Sequence, residues 1–250
     1  MLKAKFIKSF LLVNLLPLLF SCSYGGFDEE TSAFVESFAI SEAMNNTKIA
    51  SLTKTSILLD NDVIIGEEVE TIEFDKSDSN NIYYYYKLEK SGEFISNEGD
   101  EPNYKERIIN KLDNTYKEYL VNDEVTSLND INESEINLLI QNFFYTQETS
   151  GIYTTGYYYG DSIKINTQFY REFKYDKEEG TLTFQIINDI TNENYLINNT
   201  FKVNKYGMLL TQETSTKEVE GTKEAKTIVE ANYSKIDNYH DIREIINEEI

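Results

Sequence analysis

Side chains able to attack a bond, transfer a proton or hold a metal are few in this chain, and they are not clustered. His240 is the only histidine and Cys22 the only cysteine in 250 residues. His240 sits near the C-terminal end among Asp237, Asn238, Tyr239 and Asp241, which suits a solvated or helix-starting residue. A Ser-His-Asp triad built on it needs that tail to fold into a cleft, and no nucleophile-elbow sequence accompanies it. Asp60-Asn61-Asp62 and Asp75-Lys76-Ser77-Asp78 begin like calcium loops, but neither is followed by Gly and Glu at the offsets a calcium loop needs. They read better as polar turns. One Cys and one His give zinc no ligand set. A glycosidase pair needs only two carboxylates at the right spacing in space, so 44 acidic residues leave that reading open. The lack of Trp speaks against a sugar platform, although Tyr also stacks. The expectation is no catalytic residue, no metal and no cofactor.

The distinctive side chains are aromatic instead. Tyr83 to Tyr86 stand in a row within NIYYYYKL, and Tyr157, Tyr158 and Tyr159 repeat the arrangement. On a strand, Tyr83 and Tyr85 point to one face and Tyr84 and Tyr86 to the other, so neither face is simply polar. A tyrosine buries its ring while its hydroxyl meets water or a partner, which suits a cavity mouth and equally an exposed sheet that touches another molecule. The plainer alternative is that Tyr fills an ordinary core in place of Phe and Trp.

The elements that position these residues are mostly strands. β-Branched and aromatic residues dominate in runs broken by Gly, Asn and Asp. The pattern predicts strands over 48–59, 69–74, 82–88, 152–159, 162–175, 181–187, 195–203, 208–215 and 225–233. Turns are predicted at Gly160-Asp161, 176–180, 188–194 and Lys205-Tyr206-Gly207. Such short links join neighbours antiparallel, as a meander. Over 103–122, Tyr104, Ile108, Leu112 and Tyr116 are spaced as in a helix, yet Asp113-Asn114 between apolar runs favours a hairpin. One helix is predicted from Asn132, where Glu135 completes a capping box and Ile136, Leu139, Ile140, Phe143 and Phe144 share a face. A second runs over 31–44, and a short third over 242–250.

Lys3, Lys5 and Lys8 precede an apolar run from Phe10 to Phe20, the layout of a secretory signal and too short for a membrane span. The run ends Leu19-Phe20-Ser21-Cys22. This resembles the bacterial lipoprotein signal, with Leu three positions before the Cys and a small residue just before it; Phe20 departs from the usual middle residue. The resemblance implies diacylglycerol in thioether linkage on Cys22, cleavage before it, and a protein held at the extracytoplasmic face of the cell membrane. Acylation also removes Cys22 from any Cys-His chemistry. The alternative is an ordinary secreted protein cut after Ser23. Residues 1–21 are then the signal, 22–30 a tether of small and acidic residues, and 31–250 a single domain. Without the three signal lysines, 20 basic residues face 44 acidic ones, a surface that repels nucleic acid and anionic headgroups.

The expected fold class is α+β, a curved antiparallel sheet packed on two or three helices. The order helix, strands, helix, long meander over residues 30–236 resembles the LolA-like carriers and the LppX and LprG group of lipid-binding lipoproteins. That resemblance implies an apolar cavity between sheet and helices that takes a lipid or another hydrophobic molecule without catalysis. Tyr83, Tyr85, Phe143, Tyr157 and Tyr159 are the candidate ligand contacts, with Tyr85 facing the cavity and Tyr84 facing out. The competing reading is a protein-interaction or adhesion module whose exposed Tyr-rich face is the contact surface. Since Cys22 carries the only thiol, Cys22→Ala is expected to leave an uncleaved, unlabelled precursor in cells fed a fatty-acid analogue. Undiminished label on the variant contradicts the lipoprotein signal.

Overall fold

The computed structural model describes residues 28–95, 102–150, 157–159, 162–164, 170–186 and 195–248. Helices α1 (Glu29–Glu36) and α2 (Ile40–Asn46) come first. Strands β1 (Ile49–Asp60), β2 (Val63–Asp75), β3 (Tyr83–Gly92), β4 (Tyr104–Leu112), β5 (Thr115–Asn122) and β6 (Val125–Ile131) follow. Helix α3 (Glu133–Ser150) and a small ribbon of β7 (Tyr157–Tyr159) and β8 (Ser162–Lys164) separate these from β9 (Tyr170–Asp176) and β10 (Thr181–Ile186). Strands β11 (Tyr195–Asn204), β12 (Leu209–Glu218), β13 (Lys223–Asn232) and helix α4 (Ile242–Glu248) complete the order.

Eleven of these strands form one open sheet in the order β6-β5-β4-β3-β2-β1-β13-β12-β11-β10-β9. Every pairing is antiparallel, and only β1 and β13 are neighbours in space without being neighbours in sequence. The hairpins are dictated locally. Asn61 and Asp62 adopt φ of 50° and 61°, and Asp113 and Asn114 adopt 51° and 68°; Asn and Asp tolerate this left-handed region, which two-residue hairpins of the primed type require. The calcium-like Asp60-Asn61-Asp62 is thus a turn, and 103–122 is a hairpin. Register breaks at Leu58/Leu59, Thr183/Gln185 and Lys202/Val203 are bulges, which bend strands and help curve the sheet.

Helix α3 starts as the capping box requires. The Glu135 amide donates to Asn132 Oδ1 at 3.1 Å, and the Asn132 amide donates to Glu135 Oε2 at 3.1 Å. The helix expected over 31–44 is two helices. Ser37 caps the first, its hydroxyl donating to the Phe34 carbonyl at 2.6 Å, and Phe38 then turns into the core between them. Gly207, at φ 82°, lies so close to that ring that a Cβ would stand 2.7 Å from Phe38 Cδ2. This explains both the break and the glycine.

One core fills the space between the helices and one face of the sheet. Phe34, Phe38, Ile136, Ile140, Phe143 and Phe144 meet Leu52, Phe74, Tyr84, Ile109, Leu182, Phe184, Phe201 and Val229. The architecture is mostly β, with fewer helical residues than an α+β class implies. Strand β6 was not expected from the sequence, and β2 begins at Val63 rather than Val69. The run expected over 152–159 is described only at β7. That over 162–175 is described as two strands, β8 and β9, with 165–169 outside the described residues. Phe143 is 1% exposed, with its ring edge-on to Phe74 at 5.1 Å. Phe143→Ala is therefore expected to destabilise the fold by ~3–5 kcal/mol in chemical denaturation; an unchanged midpoint contradicts this packing of α3.

Candidate functional site

Strand β3 answers the question raised by its tyrosines, because both of its faces are covered. Tyr84 is 4% exposed and belongs to the core under the helices, so the expected orientation is reversed: Tyr84 faces the helices and Tyr85 faces away. Tyr83 and Tyr85 join Ile108, Tyr119 and Ile242 in a second apolar cluster on the opposite face. The covering there is the chain's own tail. Ile236, Ile242 and Ile245 supply its apolar contacts, the Tyr83 ring lies 4.7 Å from that of Tyr239, and the Tyr85 ring lies 5.3 Å from the His240 imidazole.

Polar groups clamp this tail in place. The Tyr83 hydroxyl donates to the Asn238 carbonyl at 2.6 Å and accepts from the His240 amide at 3.2 Å. Asn110 Nδ2 donates to the His240 carbonyl at 3.1 Å. Glu73, 2% exposed, accepts from the amides of Asp237 and Asn238 at 3.1 and 2.9 Å and from Asn238 Nδ2 at 3.2 Å. A buried carboxylate is tolerated only when its oxygens are met in this way. Burial pushes the Tyr83 and Tyr85 phenols well above their ordinary range, and the Glu106 carboxylate adds to this at Tyr85. Both remain neutral hydrogen-bonding groups. They do not line the helix-side space. The His240 ring packs against Tyr85 of β3.

The open space lies elsewhere, at the end of the sheet where β2 finishes and α2 and α3 approach one another. A cleft of about 590 Å³ is lined there by Met44, Asn45, Lys76, Asn137, Ile140, Gln141, Asn142 and Phe144. Ile140 and Phe144 are buried core members and Met44 packs against the same core, so the cleft floor is the core itself. Phe143 stands behind that wall, edge-on to Phe144 at 5.2 Å. A smaller cleft of about 410 Å³ flanks the other side of α2, beside Ala43, Ile49, Tyr206, Met208 and Tyr233. Both are open grooves of the size that holds a ligand. Lys76 is half-buried at the rim of the first; burial, then the nearby Lys48, push its ammonium below the ordinary lysine value.

Of the described residues expected to touch a ligand, none lines a cleft, and Phe143 is the nearest, one layer behind Phe144. The side chains of Tyr157 and Tyr159 and the whole of Cys22 lie outside the described residues. Met44, Lys76, Ile140 and Phe144 were not anticipated as lining. Ile140 and Phe144 stood on the predicted apolar face of α3, which was the available signal; Lys76 read only as a turn residue. Among the described residues no group of three or more His, Cys, Asp or Glu is placed to hold a metal, and no helix is long and apolar enough to cross a membrane.

Removing the acceptor that three tail donors share is expected to loosen the tail. Glu73→Ala should cost about 2–3 kcal/mol and speed amide hydrogen exchange over residues 236–245. Exchange there as slow as in the parent protein contradicts the clamp.

No family model matches the chain, and no curated protein matches it. Solved structures give distant likenesses. A Vibrio parahaemolyticus domain named as an outer membrane lipoprotein-sorting protein is 7% identical over 83% of this chain and 96% of its own, with a TM-score of 0.26. A DUF1329 family protein from Desulfovibrio piger is 5% identical over 83% and 94%, with a TM-score of 0.25. A LolA superfamily protein from Nitrosomonas europaea is 10% identical over 84% and 95%, with a TM-score of 0.20. At these scores the likenesses carry no argument about this chain.

Proposed function

We propose that this is a lipid-anchored extracytoplasmic protein that binds a hydrophobic ligand, without catalysis, in the cleft between α2 and α3. The observation that carries the reading is the cleft floor. Met44, Ile140 and Phe144 bring core surface to the protein exterior in one concavity, and an apolar molecule laid on them gains ~25 cal/mol for each Å² buried. A small outward shift of the seven-residue α2 would deepen the groove without breaking a strand pairing.

The position of the cleft fits a membrane-held protein. Helix α1 begins at the same end of the sheet, where Glu30 accepts from Lys177 Nζ at 2.8 Å beside the turn between β9 and β10. A tether from Cys22 to Asp28 reaches at most about 20 Å. The β1–β2 turn at Asn61-Asp62 and the β12–β13 turn lie at the far end of β1, a 12-residue strand that spans about 40 Å. A lipid on Cys22 therefore keeps the cleft end, rather than these turns, toward the bilayer. Tyr83, Tyr84 and Tyr85 are all buried, so these three do not offer the exposed face that the interaction-module alternative needs.

The test is native mass spectrometry of the purified protein for retained lipid, followed by titration with a fluorescent fatty acid in competition with membrane lipids. Met44→Glu, which puts a charge on a half-buried wall residue, is expected to weaken binding about tenfold. Absence of any lipid binding overturns the carrier reading, and binding indifferent to Met44→Glu overturns the choice of cleft.

A further inference from the structure

Resting on that reading, we infer that the ligand is an anionic amphiphile whose carboxylate or phosphate head sits on Lys76, with Lys48 beside it, and whose chain lies on Met44, Ile140 and Phe144. What distinguishes Lys76 is its place, half-buried at the rim of the cleft beside Met44, Ile140 and Phe144, and the charge pattern is compatible with an anion there. The chain carries 44 acidic residues against 23 basic ones, and ion pairs join many of its lysines to carboxylates, as in Lys90 with Glu68 and Lys202 with Glu179. Among the described residues neither Lys76 nor Lys48 makes an ion pair.

The two lysines are nevertheless held together by the backbone. The Lys76 amide donates to the Lys48 carbonyl at 2.8 Å, which continues the β1–β2 ladder beyond the Ile49–Asp75 pairing. Lys76 Nζ lies 5.9 Å from the centroid of the Phe74 ring, at the border between core and cleft, while Lys48 lines the neighbouring cleft. Two cations at one sheet end, one of them half-buried and without a carboxylate, repel each other and are incompletely solvated. Both costs fall when an anion binds. The remaining lining supports the same head group. Asn45, Asn137 and Gln141 offer amide donors around the rim, and amides complement a carboxylate or phosphate without competing for the charge.

The head and chain terms separate experimentally. Palmitate, hexadecanol and inorganic phosphate are titrated against the full-length protein and against Lys76→Met, which keeps an apolar stem of similar length. Palmitate is expected to bind about tenfold more tightly than hexadecanol, and Lys76→Met to abolish that preference. A lipid carrying a phosphate head, tested as phosphatidic acid, distinguishes which anion is preferred. Equal affinity of palmitate and hexadecanol overturns the anionic head while the hydrophobic-ligand reading stands. Failure of every amphiphile overturns both, and binding of inorganic phosphate as tightly as palmitate reduces the site to a simple anion site.

Discussion

The pairing of β1 with β13 is the constraint on which the rest of the structure depends. Ten residue pairs from Ser51–Asn232 to Asp60–Lys223 join two half-sheets whose other contacts are all between sequence neighbours. The pairing closes a loop of well over a hundred residues, which is costly in chain entropy. It is stabilised where Leu52, Val229 and Ala231 meet the common core. With β1 and β13 fixed at the centre, β6 and β9 become the two edges, and the connection between them must travel the full width of the sheet. Helix α3 lies on that path, which is why its apolar stripe falls across the core and its neighbour α2 is left to form a cleft with it.

The same arrangement gives the sheet two differently covered faces. One is covered by helices; the other, over β2 to β5, by the C-terminal tail. A strand buried on both sides needs large side chains in both directions, and four consecutive tyrosines meet that need. Their hydroxyls then require partners inside the protein: the tail's backbone supplies them to Tyr83 at Asn238 and His240, and Glu106 accepts from Tyr85. The tyrosine run is thus a consequence of double burial. The surface left for a ligand is the end of the core, where helix ends and strand ends leave an unfilled corner.

Much of the fold was legible because its signals are local. The capping box at Asn132 and Glu135, the Asp113-Asn114 and Asn61-Asp62 turns, and the order of helix, strands, helix and meander all follow from neighbouring residues. Strand β6 was missed because its solvent-facing pattern, VTSLNDI, lacks an apolar period. The break between α1 and α2 depends on Phe38 meeting Gly207, far along the chain. Glu73 gave no sign of its role, since its donors lie on Asp237 and Asn238 and only the tertiary fold brings them together. The cleft was illegible for the same reason: Met44, Lys76 and Ile140 come from three separate elements. Alternation correctly divided the tyrosines between two faces, but which face meets the helices is set by the register of the whole sheet.

The most direct test of the central claim is to locate a bound chain rather than to measure its affinity. A photoreactive fatty acid bound to the full-length protein can be cross-linked and the modified residues identified by mass spectrometry of peptides. Binding between α2 and α3 predicts adducts concentrated on Met44, Ile140 and Phe144. Adducts concentrated on the tail over Tyr83 and Tyr85, or on the hairpin tips at the far end of the sheet, would contradict it.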